Sequence, residues 1–263
     1  MVLVSYTWWG VCWLTTAALC LLPTPHAQAQ GGLQLRQQAK LDNCYRVVGK
    51  DSVVFFYSAE YLLTPPGCAA IRRHVRLDSA GRFFGYVRDY RLSNNLLLLQ
   101  GAYRAGQLEG QLEQYHPTGE LAARGQYRQG QQVGDWAYWY PSGKPRQVLS
   151  FRNGLYPLVQ KFWDEDGQQL VAEGNGTWHR DEDGLRLSGK VVGGIPDGRW
   201  LLRRLDDKSI VARENYAKGR FRNGVIVNTI EIYQDRPRLS IIDWEDYSTA
   251  NKYKLNLECP AGK

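Results

Sequence analysis

The stretch GQYRQGQQVGDWAYWYPSGKPRQV, residues 125–148, decides the fold. Asp135 to Tyr140 is aromatic and strand-like. Strand alternation puts Trp136, Tyr138 and Tyr140 on one face and Ala137 and Trp139 on the other. Pro141-Ser142-Gly143 is a turn with Pro early and Gly late. Arg146 to Phe151 reads as the return strand, and Arg152-Asn153-Gly154 as a second turn with Asn-Gly chemistry. One unit is therefore a hairpin plus a link to the next.

Working outward, the same columns recur every 24 residues. Tyr103, Tyr127 and Phe151 form one column, and Gly106, Gly130 and Gly154 a second. Tyr115, Trp139 and Trp163 form a third, and Gly119, Gly143 and Gly167 a fourth. The pattern continues with slippage through residues 189–212, where Gly194, Gly198 and Trp200 return at the right offsets after an insert at 173–188. The repeat array spans about 76–240. Lone hairpins are barely stable, but stacked ones bury one another. The expected fold is all-β, one long antiparallel sheet. About twelve strands at ~4.8 Å spacing must twist or curl.

The flanks read differently. Residues 1–29 carry no Lys, Arg, Asp or Glu, are apolar to Leu22, and end in Ala27-Gln28-Ala29. That is a secretory leader, with the cut between Ala29 and Gln30 and a periplasmic or extracellular mature chain; the alternative is a retained anchor. Residues 30–75 form an N-terminal capping segment with a strand at Ser52–Tyr57 and a turn at Thr64-Pro-Pro-Gly67. Strands are also expected at Val225–Tyr233 and Arg238–Ile242, and residues 241–263 form a C-terminal tail. Of the cysteines beyond the leader, Cys44 and Cys68 are the expected disulfide, with Cys259 as the alternative that would tie the C-terminus back.

The chemistry-bearing residues are thin. The chain has a net charge of +7, but no Lys/Arg run exceeds two residues, so nucleic acid is not an expected partner. The basic residues read as a scattered, solvated face with mild affinity for anionic glycan or lipid. His74, His116 and His179 lack metal spacing, and no nucleophile elbow occurs. Asp164-Glu-Asp166-Gly167 and Asp181-Glu-Asp183-Gly184 stop short of a full calcium loop and read as acidic hairpin tips. No catalytic residue, metal or cofactor is expected. Trp139, Tyr140 and Trp163 are the candidate binding aromatics, which could stack on a sugar or serve as shared core.

The Gly125, Tyr127, Gly130, Gly134, Trp136, Tyr140 and Gly143 pattern resembles MORN repeats. It is most similar to the variant seen in YwqK-family antitoxin-like proteins of the secreted type. The resemblance implies a hairpin-repeat sheet; with the leader and the lack of catalytic motifs, the expected function is a non-enzymatic scaffold in the cell envelope that binds a protein partner, or a glycan or lipid surface. Neutralisation of a toxin, or carbohydrate binding, is the alternative it leaves.

Overall fold

The computed structural model describes residues 41–152, 156–235, 254–256 and 259. Seventeen strands form one sheet. They are β1 (Tyr45–Val47), β2 (Ser52–Tyr57), β3 (Ile71–Leu77), β4 (Phe83–Arg91), β5 (Leu97–Arg104) and β6 (Gln107–Tyr115). Then come β7 (Leu121–Arg128), β8 (Gln131–Trp139), β9 (Pro145–Phe151), β10 (Leu158–Trp163), β11 (Gln169–Ala172) and β12 (Asn175–Glu182). The last five are β13 (Leu185–Val192), β14 (Ile195–Arg204), β15 (Ile210–Ala217), β16 (Arg220–Ile226) and β17 (Glu231–Tyr233). Each strand pairs antiparallel with the strands before and after it in sequence. The sheet is an open meander. The expected strand at Arg238–Ile242 lies outside the described residues, as do the leader and most of the tail.

The 24-residue period is the step from one odd strand to the next. Leu97, Leu121, Pro145 and Gln169 open β5, β7, β9 and β11. Two turn chemistries alternate along the two edges. On one edge, two-residue turns take positive φ at both positions: Ala105-Gly106, Gln129-Gly130, Glu173-Gly174, Gly193-Gly194 and Lys218-Gly219. That is the hairpin turn whose twist matches the strands. The Asn153-Gly154 turn lies outside the described residues. On the other edge the repeat turns are longer, with Asp183-Gly184 a two-residue exception. Gly119, Gly143 and Gly167 have φ of 105°, 78° and 94°. Each donates its N–H to the carbonyl three residues back, at His116, Tyr140 and Asp164. A positive φ there suits Gly and few other residues.

One face of the sheet is the core. Tyr103, Tyr127 and Phe151 are buried on it, with Trp136, Trp178 and Trp200 sealed completely or nearly so. Small residues make room for large ones on the neighbouring strand. The Trp136 ring lies where a Cβ on Gly125 would stand, and the Trp200 ring does the same to Gly189. The rings also touch across repeats: Trp136 meets Tyr127 at 5.2 Å and Phe151 at 6.2 Å between centroids. Further on, Phe162, Trp178, Trp200 and Tyr216 continue the series.

A single flat sheet could not seal such residues, so the sheet curves round its core face. The C-terminal segment returns to the first strands, where Leu63 exchanges backbone hydrogen bonds with Lys254 and Asn256.

The sheet bends where the repeat loses phase. Residues 173–188 form the Glu173-Gly174 turn, β12, the Asp183-Gly184 turn and the start of β13. β11 has four residues, and past it β10 and the β13–β14 turn meet directly. Val159 N–H donates to the Gly194 carbonyl at 3.0 Å, and Gly194 N–H to the Gly174 carbonyl at 2.9 Å. A Cβ on Gly174 would stand 2.7 Å from the Gly194 nitrogen, and one on Gly194 would stand 2.8 Å from the Leu158 Cβ. The bend also lets Trp178 Nε1 on β12 donate to Gln147 Oε1 on β9, 3.2 Å away.

The disulfide joins Cys68 to Cys259, not Cys44 to Cys68. Cys44 is sealed against Tyr57, Leu63 and Ile71, and its carbonyl accepts from Phe56 N–H, so it belongs to the β1–β2 ladder. Cys68 sits in the 58–70 loop, where the returning C-terminal segment pairs. The bridge closes a separation of 191 residues. Cys68→Ser or full reduction is expected to cost about 2–4 kcal/mol. Thermal melts with and without reductant check this; an unchanged melting temperature would contradict it.

Candidate functional site

The face opposite the core carries exposed charged residues. Its central row can be followed strand by strand through the register. Arg46, Val54, His74, Arg88, Gln100, Glu113, Arg124, Ala137, Val148 and Lys161 are successive cross-strand partners from β1 to β10. Alternation explains the composition: most of these residues have sequence neighbours that point into the core.

At the β3–β4 end this face interleaves cations and rings. Arg72 lies over Tyr90 at 5.5 Å, Arg76 over Phe84 at 4.6 Å and Arg88 over Tyr86 at 5.5 Å. Tyr86 is 62% exposed. Burial, then the neighbouring Arg72 and Arg88 charges, push the His74 imidazole below its usual range. Arg76 pairs with Asp51, and Arg72 donates to Asn95.

In the middle, Glu113 is a hub. Its carboxylate accepts from Gln100 Nε2 at 2.6 Å, Gln111 Nε2 at 2.9 Å, Tyr115 Oη at 2.8 Å and Arg124 Nε at 2.8 Å. The Gln100 hydrogen bond leads in pulling its pKa down. This network ties β5, β6 and β7 and uses the charge of Arg124. Glu109 accepts the Gln129 amide.

Three arginines repeat with the array. Arg104, Arg128 and Arg152 each follow the buried Tyr103, Tyr127 and Phe151, so they face outward and are exposed. Among the described residues no carboxylate pairs with them or with Arg88. Read singly, the basic residues look scattered; the 24-residue spacing of this column was the signal that could have found it.

The aromatic candidates lie at the other end of the strands. Trp139 and Trp163 are half-buried at the ends of β8 and β10. Tyr140 is half-buried too, and its hydroxyl donates to the Trp163 carbonyl at 2.8 Å. One repeat earlier, His116 Nε2 stands 2.9 Å from the Trp139 carbonyl. Lys144 Nζ donates to the Glu165 carbonyl at 2.9 Å. These side chains staple each long turn to the next. The acidic tips are turns: Asp164 Oδ1 accepts Gln168 N–H, Asp183-Gly184 has positive φ throughout, and Asp181 pairs with Arg186. A recess of about 610 Å³ opens at this edge, lined by Tyr61, Ile71, Leu98, Tyr115 and Pro117 among others.

Burial, ahead of the nearby Asp and Glu charges, pushes the Tyr140 phenol up to about 12. An unfolded tyrosine titrates near 10. The folded value is the higher one, so this contribution is complete below about pH 10 and is lost as pH rises towards 12. Tyr140→Phe should cost about 1 kcal/mol at neutral pH. It should also flatten the alkaline loss, as denaturant melts at neutral and alkaline pH would show. Glu113 works in the opposite direction. Its folded pKa is depressed, so its contribution is present above about 4.3, the unfolded value, and fades as pH falls through the folded one.

Compared with protein-family models and with curated proteins, the chain has no match.

Proposed function

We propose that the chain is an exported, non-enzymatic binding scaffold of the cell envelope, whose outer sheet face receives an anionic partner. The observation that carries this is the column of exposed arginines, repeated with the array and forming no salt bridge among the described residues. A face that is only solvated has no need of one cation per repeat at a fixed position. Periodic charge on a stiff, aromatic-cored sheet is pre-organised for binding, because little side-chain or backbone ordering remains to be done. The MORN-like motif and the leader-like residues 1–29 support the same reading, and the Cys68–Cys259 bridge suits an oxidising compartment.

The test is fractionation of cells carrying the native chain or Arg88→Glu/Arg128→Glu, with mass spectrometry of the N-terminus. The native chain should begin at Gln30, stay with the envelope and be released by salt. The charge-reversed chain should appear in the soluble fraction without salt. Equal retention of both would defeat the proposal.

A further inference from the structure

The recess at the long-turn edge is a second site, independent of the outer face. We propose that it binds a small amphiphilic carboxylate. The acid group lies on Arg91 and the hydrocarbon body against Ile71, Leu92 and Leu98.

The strand register builds the recess. Ile71 and Arg91 are cross-strand partners on β3 and β4, as Arg73 and Asp89 are two residues further in. All four side chains therefore point to the core side. The inner pair is a matched cation and anion. The outer pair sets a second guanidinium beside a buried aliphatic side chain, and both line the recess. Gln114 joins them from β6, where it stands across from the buried Leu99. Leu92 and Leu98 add apolar surface. Tyr61 lines the recess too, and its ring lies over the Arg73 guanidinium at 5.8 Å.

The unmatched cation singles this recess out. Arg91 is half-buried, and its Nη1 donates to the neutral Pro117 carbonyl at 3.1 Å. Among the described residues no carboxylate pairs with it. The Gln114 carboxamide makes no hydrogen bond to another described residue. A guanidinium with spare N–H groups beside aliphatic side chains selects a ligand with one carboxylate on an apolar body. The fork can meet both carboxylate oxygens, and Gln114 can donate a further N–H. The body covers the apolar wall. The volume, about 610 Å³, is that of a small-molecule site. A peptide would call for main-chain partners, and those nearby are spent. Leu92 N–H donates to the Ala70 carbonyl at 2.8 Å, Ala70 N–H donates to the Tyr57 carbonyl at 2.9 Å, and Leu63 is taken by Lys254 and Asn256.

Calorimetry on the purified chain compares octanoate with octanol, octylammonium and the peptide acetyl-Gly-Gly-Leu. Octanoate should bind best, about tenfold or more tighter than octanol. In Arg91→Gln, octanoate affinity should fall by about tenfold or more, to the level of octanol, and octanol affinity should not change. Ala59→Trp fills the recess from an exposed loop position and should abolish binding of both. Arg199→Gln, the same charge change on β14, should weaken octanoate binding by less than about twofold. Melts matching the native chain's are expected of all three variants and are recorded alongside. Loss of octanol binding in Arg91→Gln would make Arg91 a prop of the turn rather than the acid's partner, and would overturn the proposal. So would octanoate binding that survives Ala59→Trp, equal binding of octanoate and octylammonium, tighter binding of the peptide, or no octanoate binding at all.

Discussion

Asp89→Ala is expected to destabilise the protein by about 3–5 kcal/mol. Asp89 and Arg73 are cross-strand partners on β4 and β3, facing the core. Their contact is a two-pronged pair with both N···O distances 2.7 Å. The side chains are 4% and 0% exposed. Burial pulls the Arg73 pKa down, but the Asp89 carboxylate outweighs it and holds Arg73 well above its usual range. Tyr57 and Tyr61 stack on the guanidinium at 5.0 and 5.8 Å. Removing the carboxylate leaves a cation in the core with only ring faces for company. The double variant Arg73→Leu/Asp89→Leu removes both charges and should recover most of the loss, since a well-packed apolar pair often matches a buried ion pair. Urea melts of the single and double variants measure the difference. A double variant as unstable as the single would mean that shape, not charge, governs the site.

Gly125→Ala should cost about 3 kcal/mol or more, because overpacking at a fully buried ring leaves nothing free to yield. The added Cβ would stand 2.1 Å from Trp136 Cδ2, and that ring has no exposed surface. The preceding repeat shows the remedy. There Gly101 faces Leu112, and a Cβ would stand 3.3 Å from its Cδ1. Gly125→Ala/Trp136→Leu should therefore be far more stable than the sum of its single variants, a coupling of about 1–3 kcal/mol in a double-mutant cycle. Strict additivity would contradict the packing described here.

Much of the fold was legible because hairpin chemistry is local. Gly143 after Pro141-Ser142, and Gly130 after Gln129, announce their turns within a few residues. The alternation around Trp136 and Tyr138 announces the buried face. What could not be read were relations between distant parts. Cys68 meets Cys259 because the C-terminal segment returns to Leu63, and no spacing rule encodes that. The residues read as an insert at 173–188 continue the sheet, because Gly174 and Gly194 allow a close approach that only the folded backbone reveals. Tyr140 is a candidate binding ring, and the bond from its hydroxyl to a carbonyl 23 residues further on is a contact that no local pattern announces. The arginine column was visible in sequence, yet its meaning depends on Tyr103, Tyr127 and Phe151 pointing the other way.

Which face of the sheet a partner meets is tested most directly by site-specific photo-cross-linking in intact cells. A photoreactive side chain is placed at Tyr86 or Arg128 on the outer face, at Lys190 on the far part of the sheet, and at Thr118 on the long-turn edge. Envelope material should be captured from Tyr86 and Arg128, and salt should abolish it. Capture from Thr118 or Lys190 alone would show that the basic face is not the binding surface.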